Sequence, residues 1–386
     1  MSTTFDALGV SAGLVDALHQ QGIESAFPIQ ALTIPDALAG RDVCGKAKTG
    51  SGKTLAFGIP VLERLAKADP CRPRALALVP TRELATQVHD ALAPLAAACD
   101  RTMLAVYGGA NMEKQIKALK QGVVFVGATP GRMIDLIDRE AMSVGALEQV
   151  IIDEADRMAD MGFLPQVEWI LRQVDKRHQT LLFSATLDGA VDTLVQRYQH
   201  DPVMYEFDSG QLTVEEMEHR FLTVHEMDKV KVAASIARNN GRTMMFTRTK
   251  RNADRLASAL NSEGVKTAAI HGDLRQNERE RALANFGEGK LDVLVATDVA
   301  ARGIHVNDVD VVIHYDPPED HKAYLHRSGR TARAGESGVV VTLVLWNEEL
   351  EIKRIQKRIG IEQQLIEVFS NDKRLKDLAG WDPAEL

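Results

Sequence analysis

Cysteine is scarce. The three in 386 residues (Cys44, Cys71 and Cys99) stand far apart, with no CxxC pair and no histidine at zinc-ligand spacing. That argues against a disulfide framework or a structural zinc site and makes a reducing compartment, the cytoplasm, the expectation. Long apolar runs are missing too: none approaches the ~20 residues that a membrane-spanning helix needs. The first twenty residues, MSTTFDALGVSAGLVDALHQ, lack the basic start and continuous apolar stretch of a secretion signal. Positive charge is not in excess. Lys and Arg number 46 against 54 Asp and Glu, a net charge of −8. Divided at residue 207, the chain carries 20 cations against 25 anions and then 26 against 29. Neither half is a basic module that could hold a polyanion by bulk charge, so any polyanion must be held by local geometry. Low-complexity tracts and short repeats are also missing.

What is present is the composition of a folded chain, 45% hydrophobic and 26% charged. Its length implies two or three globular units of roughly 100–200 residues each. Short aliphatic runs at 75–79, 123–126, 150–152 and 180–183 alternate with stretches of helical spacing such as 84–98 and 112–120. The pattern restarts with runs at 243–246, 266–270, 291–296, 309–314 and 338–345. Strands of this length alternating with helices predict parallel sheets buried on both faces. The stretch 208–218 has Ser209-Gly210, four carboxylates and no apolar face. The expected organisation is therefore an α/β domain over 1–207, a linker over 208–218, a second α/β domain over 219–369 and a short, polar, loosely attached tail over 370–386.

In open parallel sheets ligands bind beyond the carboxyl ends of the strands. Those positions here read Pro80-Thr81-Arg82-Glu83, Thr129-Pro130-Gly131-Arg132, Asp153-Glu154-Ala155-Asp156 and Ser184-Ala185-Thr186. In the second half they read Thr247, His271-Gly272-Asp273, and Thr297-Asp298 leading to Arg302-Gly303. The segment Ala47-Lys48-Thr49-Gly50-Ser51-Gly52-Lys53-Thr54 lies between an expected strand over 42–45 and an expected helix over 54–65. Its glycines let backbone N–H groups turn toward a phosphate at the positive end of a helix. Lys53 would reach the β- and γ-phosphates and the Thr54 hydroxyl would ligate Mg2+, although Ala47 stands where the strict motif has glycine. Asp153 and Glu154 end an apolar strand. Phosphoryl transfer needs one carboxylate for Mg2+ and a group that positions the attacking water, roles that suit Asp153 and Glu154 in turn. The segment from His326 to Arg333 places His326, Arg327, Arg330 and Arg333 in eight residues. If it is helical, Arg330 and Arg333 share a face, and a guanidinium at the γ-phosphate would contribute ~10³–10⁵ in rate. The combined reading is an NTPase.

Over nearly its whole length, roughly residues 5–344, the sequence resembles the DEAD-box RNA helicases. The motifs that carry the resemblance stand in order: Gln30, the 47–54 segment, Pro80 to Leu84, Gly108-Gly109, Thr129 to Arg132, Asp153 to Asp156, Ser184 to Thr186, Gln276 to Arg279, Thr297 to Gly303 and His326 to Arg333. The resemblance, bacterial in flavour, implies two tandem RecA-like domains, each a mostly parallel sheet with helices on both faces, that close over ATP, Mg2+ and a single RNA strand. It implies that Phe5 stacks on adenine, that Gln30 bonds the adenine edge, and that Lys48, Thr49, Gly50, Ser51, Gly52, Lys53, Thr54, Gly303 and His305 hold the nucleotide. Asp156, Ser184, Thr186, Asp298 and His326 would couple nucleotide state to strand separation, with Arg330 and Arg333 as the arginine fingers. RNA contacts would come from Thr81, Arg82, Gly109, Thr129, Gly131, Arg132, Thr247, Arg275 and Thr297.

Two departures from the family pattern bear on the nucleotide. Ala26-Phe27 replace the usual Pro-Thr before Pro28-Ile29-Gln30, and His305 occupies an aspartate position, which predicts weaker ATP binding. Trp169, Trp346 and Trp381 read as packing residues, and His178, His219, His225 and His314 as ordinary surface or core histidines. The implied activity is ATP-dependent, sequence-independent binding of single-stranded RNA and local separation of short duplexes by a monomer, with a protein partner for targeting. An ATP-gated RNA clamp and a DNA helicase on the same core are the alternatives.

Overall fold

A computed structural model describes residues 3–47, 51–187, 189–206, 217–301, 309–331 and 338–381. The chain divides into two compact units, Met1–Ser209 and Gly210–Leu386. The expected linker falls almost entirely on residues outside the described ones. In the first unit β1 (Val43–Lys46), β2 (Ala75–Leu78), β3 (Met103–Val106), β4 (Phe125–Ala128), β5 (Gln149–Asp153), β6 (Gln179–Ser184) and β7 (Val203–Glu206) form one sheet in the order β3-β4-β2-β5-β6-β1-β7. The second unit has β8 (Glu218–Thr223), β9 (Thr243–Thr247), β10 (Thr267–Ile270), β11 (Val293–Thr297), β12 (Val311–His314), β13 (Val339–Val344) and β14 (Leu365–Glu367), in the order β10-β11-β9-β12-β13-β8-β14. Counting each sheet from its own first strand, the two orders are identical. All pairings in both sheets are parallel.

Two-residue periodicity explains why the central strands read as continuous apolar runs. Ala75 and Ala77 of β2 face one core, with Ile151 of β5 and Leu181 and Phe183 of β6. Leu76 and Leu78 face the other, with Val150, Ile152 and Leu182. Both faces are covered by helices, so neither set is free to be polar. The same division holds in the second unit, where Met245, Val293 and Val295 face one core and Met244, Phe246, Leu294 and Ala296 the other.

Four strands lie outside the apolar runs. β3, β7 and β14 are edge strands with partly exposed residues. β8 is interior but carries the buried polar pair His219 and Arg220. His219 is bonded to the Tyr324 hydroxyl at 2.7 Å. Arg220 donates to Glu218 and to the carbonyls of Leu378 and Trp381. Those last contacts correct the expectation of a loose tail. Leu375, Leu378 and Trp381 are core residues of the second unit, and the guanidinium of Arg374 lies 4.9 Å from the Trp381 ring. The tail reads as polar because its few apolar residues are spaced to cover one face of the helix Lys229–Asn239 rather than clustered. Of the three tryptophans only Trp381 is buried; Trp169 is 37% and Trp346 80% exposed. Among the described residues no helix is long and apolar enough to cross a membrane.

Candidate functional site

The sheet order of the first unit sorts its candidate residues into two groups along one edge. The 47–54 segment, Asp153-Glu154 and Ser184-Thr186 follow β1, β5 and β6, which are neighbours. Thr81-Arg82, Gly108-Gly109 and Thr129-Arg132 follow β2, β3 and β4, which are also neighbours. A nucleotide-type constellation and a polyanion-type constellation therefore lie side by side on the carboxyl ends of one sheet, where ligands bind in such folds.

At the first group, the Ala47 N–H donates to the Ser184 carbonyl at 2.8 Å, which ties the start of the loop to β6. The helix Lys53–Arg64 begins directly after Gly52, whose φ is +87°. Glycine is required there on two counts. The left-handed backbone disfavours a side chain, and a Cβ would lie 2.5 Å from both Gln30 Nε2 and Phe27 Cδ2. Buried Lys53 points back across the loop, donating to the Ala47 carbonyl at 3.0 Å. Its Nζ is 3.8 Å from Asp153 Oδ1. Asp153 is itself buried, and that burial pushes its carboxyl up to about 6, with Lys53 opposing and Glu154 reinforcing the rise. A buried carboxylate whose charge is only partly offset is suited to a divalent cation. Among the described residues no group of three or more His, Cys, Asp or Glu gathers as a metal cage. Mg2+ prefers one or two protein oxygens plus phosphate and water. Asp153 and Thr54 are the oxygen donors that fit it.

Glu154 adopts φ +53°, a left-handed conformation without glycine, at a cost of about 1–3 kcal/mol. This turns the chain sharply out of β5 into the helix Ala155–Asp160. The Glu154 carboxylate accepts from Arg157 Nη1 at 2.7 Å, and the Asp156 N–H donates to Ser184 Oγ at 3.1 Å. The strand-end acids and the Ser184-Ala185-Thr186 turn are thus in direct contact, with Thr186 exposed beyond them. Arg157 carried no signal in the sequence, since one arginine on a short helix has no distinctive spacing.

Gln30 is buried at the start of the helix Pro28–Leu38. Its Oε1 accepts from the Phe27 N–H at 2.8 Å and its Nε2 donates to the Gly52 carbonyl at 2.9 Å. Phe5 departs from expectation. It is 1% exposed and packed in the core, and a bridge between Thr3 and Ala26 ties the N-terminal segment to the chain before the helix Pro28–Leu38. Its ring offers no open face to a base.

In the second group Thr81 caps the helix Arg82–Ala98, its hydroxyl accepting from the Leu84 N–H, and Arg82 projects outward. The turn at Gly109 has φ +88°, and a Cβ there would lie 2.4 Å from Arg82 Nη1. Thr129 and Gly131 stand at the start of the helix Pro130–Asp138. Arg132 differs from its expected role. It is buried, donating to Gln115 Oε1 at 2.6 Å and to the Ala110 carbonyl at 3.3 Å. It therefore braces the Gly108-Gly109-Ala110 turn from below. Gln115, the partner that makes this possible, had no sequence signal.

The second unit keeps half of this pattern. Thr247 and Thr297 end the neighbouring strands β9 and β11, both buried, and Arg275 caps the helix Gln276–Gly287 while remaining exposed. The segment after β8, Val224-His225-Glu226-Met227-Asp228, has no glycine-rich phosphate loop. Arg327 was read in the sequence only as one of four cations between His326 and Arg333; it is 1% exposed and forks onto Asp298, Nε to Oδ1 at 2.6 Å and Nη2 to Oδ2 at 2.7 Å. Asp298 is thus an anchor for the helix His321–Ser328, from which His326 projects into solvent. That helix stops at Ser328, so Arg330 is not helical, and the expected shared face with Arg333 falls on a residue outside the described ones. Gly329 closes it, and the Thr331 hydroxyl donates to the Val309 carbonyl at 2.6 Å, drawing the chain off the helix axis. Lys48, Thr49, Gly50, Gly303, His305 and Arg333 lie outside the described residues.

Comparison with known proteins gives concordant results. Residues 27–194 match the DEAD/DEAH box helicase family and residues 226–335 the helicase conserved C-terminal domain. The chain is 41% identical over 357 residues to the DEAD-box ATP-dependent RNA helicase CshA of Geobacillus kaustophilus, covering 92% of this chain and 76% of that one. It is 40% identical over 359 residues to CshA of Bacillus subtilis, covering 92% and 72%. Among solved structures, S. cerevisiae Dbp5 bound to RNA and ADP BeF3 superposes with a TM-score of 0.83 at 28% identity, covering 97% of this chain and all of that one.

Proposed function

Because this chain belongs to the DEAD/DEAH box helicase family, we propose that it is an ATP-dependent RNA helicase that separates short duplexes locally. The observation that carries this reading is the division of one sheet edge. The triphosphate set on β1, β5 and β6 adjoins the strand-binding set on β2, β3 and β4, and the Asp156–Ser184 hydrogen bond joins two members of the first set. The segment after β8 has no glycine-rich loop, and the proposal places the nucleotide on the first unit.

In this proposal the backbone N–H groups after β1 and Lys53 hold the phosphates, while Asp153 and Thr54 hold Mg2+. The metal, when bound, neutralises charge on the transferring phosphoryl group. Lys53 leaves the Ala47 carbonyl to meet the phosphates, and Glu154 orients the attacking water after leaving Arg157. Asp156, Ser184 and Thr186 relay the nucleotide state. Arg330 and Arg333 of the second unit add positive charge to the transition state, which makes hydrolysis depend on both units. RNA is held through Thr81, Arg82, Gly109, Thr129, Gly131, Thr247, Arg275 and Thr297, with Arg132 bracing. Contacts of this kind position a backbone without reading bases. With few phosphates neutralised by cations, the salt dependence of RNA binding is shallow.

Strand separation costs about 1.4 kcal/mol per DNA step, with RNA comparable. Tighter binding to a bent single strand in the ATP state therefore opens a few pairs, not long tracts. The protein acts as a cytoplasmic monomer directed to its RNA by a partner. ATP hydrolysis measured with and without RNA, DNA and short duplexes tests the reading. Stimulation by RNA, loss in Lys53→Ala and Glu154→Gln, and unwinding of short duplexes are expected. Equal stimulation by DNA, or turnover with Arg330→Ala and Arg333→Ala at the parental rate, would overturn it.

A further inference from the structure

We propose that Phe27 supplies the aromatic face on which the adenine of ATP stacks, in place of Phe5. Phe27 is 57% exposed, although burial of a phenylalanine ring is favourable. It is not a stray surface residue. Its N–H is fixed by Gln30 Oε1 at 2.8 Å, and Gln30 Nε2 is fixed in turn by the Gly52 carbonyl at 2.9 Å. The Phe27 ring edge and the Gln30 amide press on the same spot, where a Cβ on Gly52 would lie 2.5 Å from each. Gly52 is followed directly by Lys53, so an open aromatic ring, a side-chain amide and the phosphate loop converge at one glycine.

Each end of the Gln30 amide is used once, and a carboxamide offers two donors and two acceptor lone pairs. One donor and one acceptor are left for a base edge that presents an acceptor beside a donor. Adenine N7 and N6 present that pair, whereas guanine N7 and O6 are both acceptors. A base meeting Gln30 in this way needs a flat apolar partner. Gln30 is itself 1% exposed, so the partner is a ring that already stands open beside it: Phe27 is 57% exposed and Phe5 1%, and Ile23, partly buried, has no ring. Among the described residues Phe27 combines exposure with contact to Gly52 beside Gln30. The inference rests on the ATP reading of the Lys53 site and adds the residue that contacts the base.

The test measures binding of Mg-ADP and of inorganic tripolyphosphate to the full chain by calorimetry. Phe27→Ala is expected to weaken ADP roughly 5- to 100-fold, in line with base–aromatic stacking elsewhere, and to leave tripolyphosphate within twofold. Phe27→Trp is expected to retain ADP affinity and to show a fluorescence change on ADP addition that the parent lacks. Parental ADP affinity in Phe27→Ala alongside a loss in Gln30→Ala would overturn the inference while sparing the nucleotide site. Equal losses of ADP and tripolyphosphate would also overturn it, because Phe27 would then act by shaping the loop. No effect of Gln30→Ala on ADP would remove both the base reading and the inference.

Discussion

Replacing Arg327 with alanine removes more than a charge. The side chain makes two charge-assisted bonds to Asp298 at 2.6 and 2.7 Å and a third to the Asp316 carbonyl at 2.7 Å. Its guanidinium also lies 5.3 Å from the Phe246 ring. Breaking a buried ion pair from one side costs about 3–5 kcal/mol. The Asp298 side chain is 33% exposed and can regain water, which favours the lower end, about 3 kcal/mol. At roughly 2–4 °C per kcal/mol for a unit of this size, the second unit should melt about 6–12 °C lower. Urea unfolding followed through buried Trp381, in a background with Trp169→Phe and Trp346→Phe, isolates that unit. Arg327→Lys keeps the charge but not the fork and should recover no more than about half of the loss. A shift below about 0.5 kcal/mol in Arg327→Ala, the range of ordinary surface substitutions, would refute the anchoring role.

Trp381→Ala should destabilise the second unit by about 3–5 kcal/mol; a surface-like effect on the urea midpoint would return residues 370–381 to the status of a loose tail. Gly109→Ala places a side chain at φ +88° against Arg82, and RNA affinity measured by fluorescence anisotropy should fall while ADP affinity is kept. Parental RNA binding would show that this turn does not touch the strand. Burial holds the His314 imidazole well below its usual range, with Arg327 and His219 pushing the same way. The unfolded chain therefore takes up a proton near pH 6.5 that the folded unit resists. Stability is full above that pH and declines as pH falls toward the folded value. His314→Asn, which keeps an acceptor for Thr342, should flatten this acid-side slope in urea titrations at stepped pH, and an unchanged slope would assign it to other groups.

The interior strands were legible because burial on both faces leaves a local mark. The runs around β2, β5, β6, β9 and β11 are apolar at consecutive positions, and their ends carry the polar residues of the site. The edge strands β3, β7 and β14 left no such mark, and in β8 the buried His219 and Arg220 broke the apolar run that marks an interior strand. Lys53, Asp153 and Glu154 could be proposed from the chain alone because their chemistry depends on position relative to a strand or helix end, which is local information, whereas Gln30 came only from the family resemblance.

Burial of individual polar and aromatic side chains is not local. Arg132 is bound by Gln115, 17 residues away, and Arg327 by Asp298, 29 residues away. The burial of Phe5 and the exposure of Phe27 depend on how the N-terminal segment pairs at Thr3 with Ala26 and packs into the core. The amino-acid order by itself therefore determined the two α/β units, the nucleotide chemistry and the family, since strand periodicity and strand-end residues are short-range properties. The tertiary structure decided which arginines are braces and which aromatic faces solvent, because burial and pairing are settled by partners that meet only when distant segments pack.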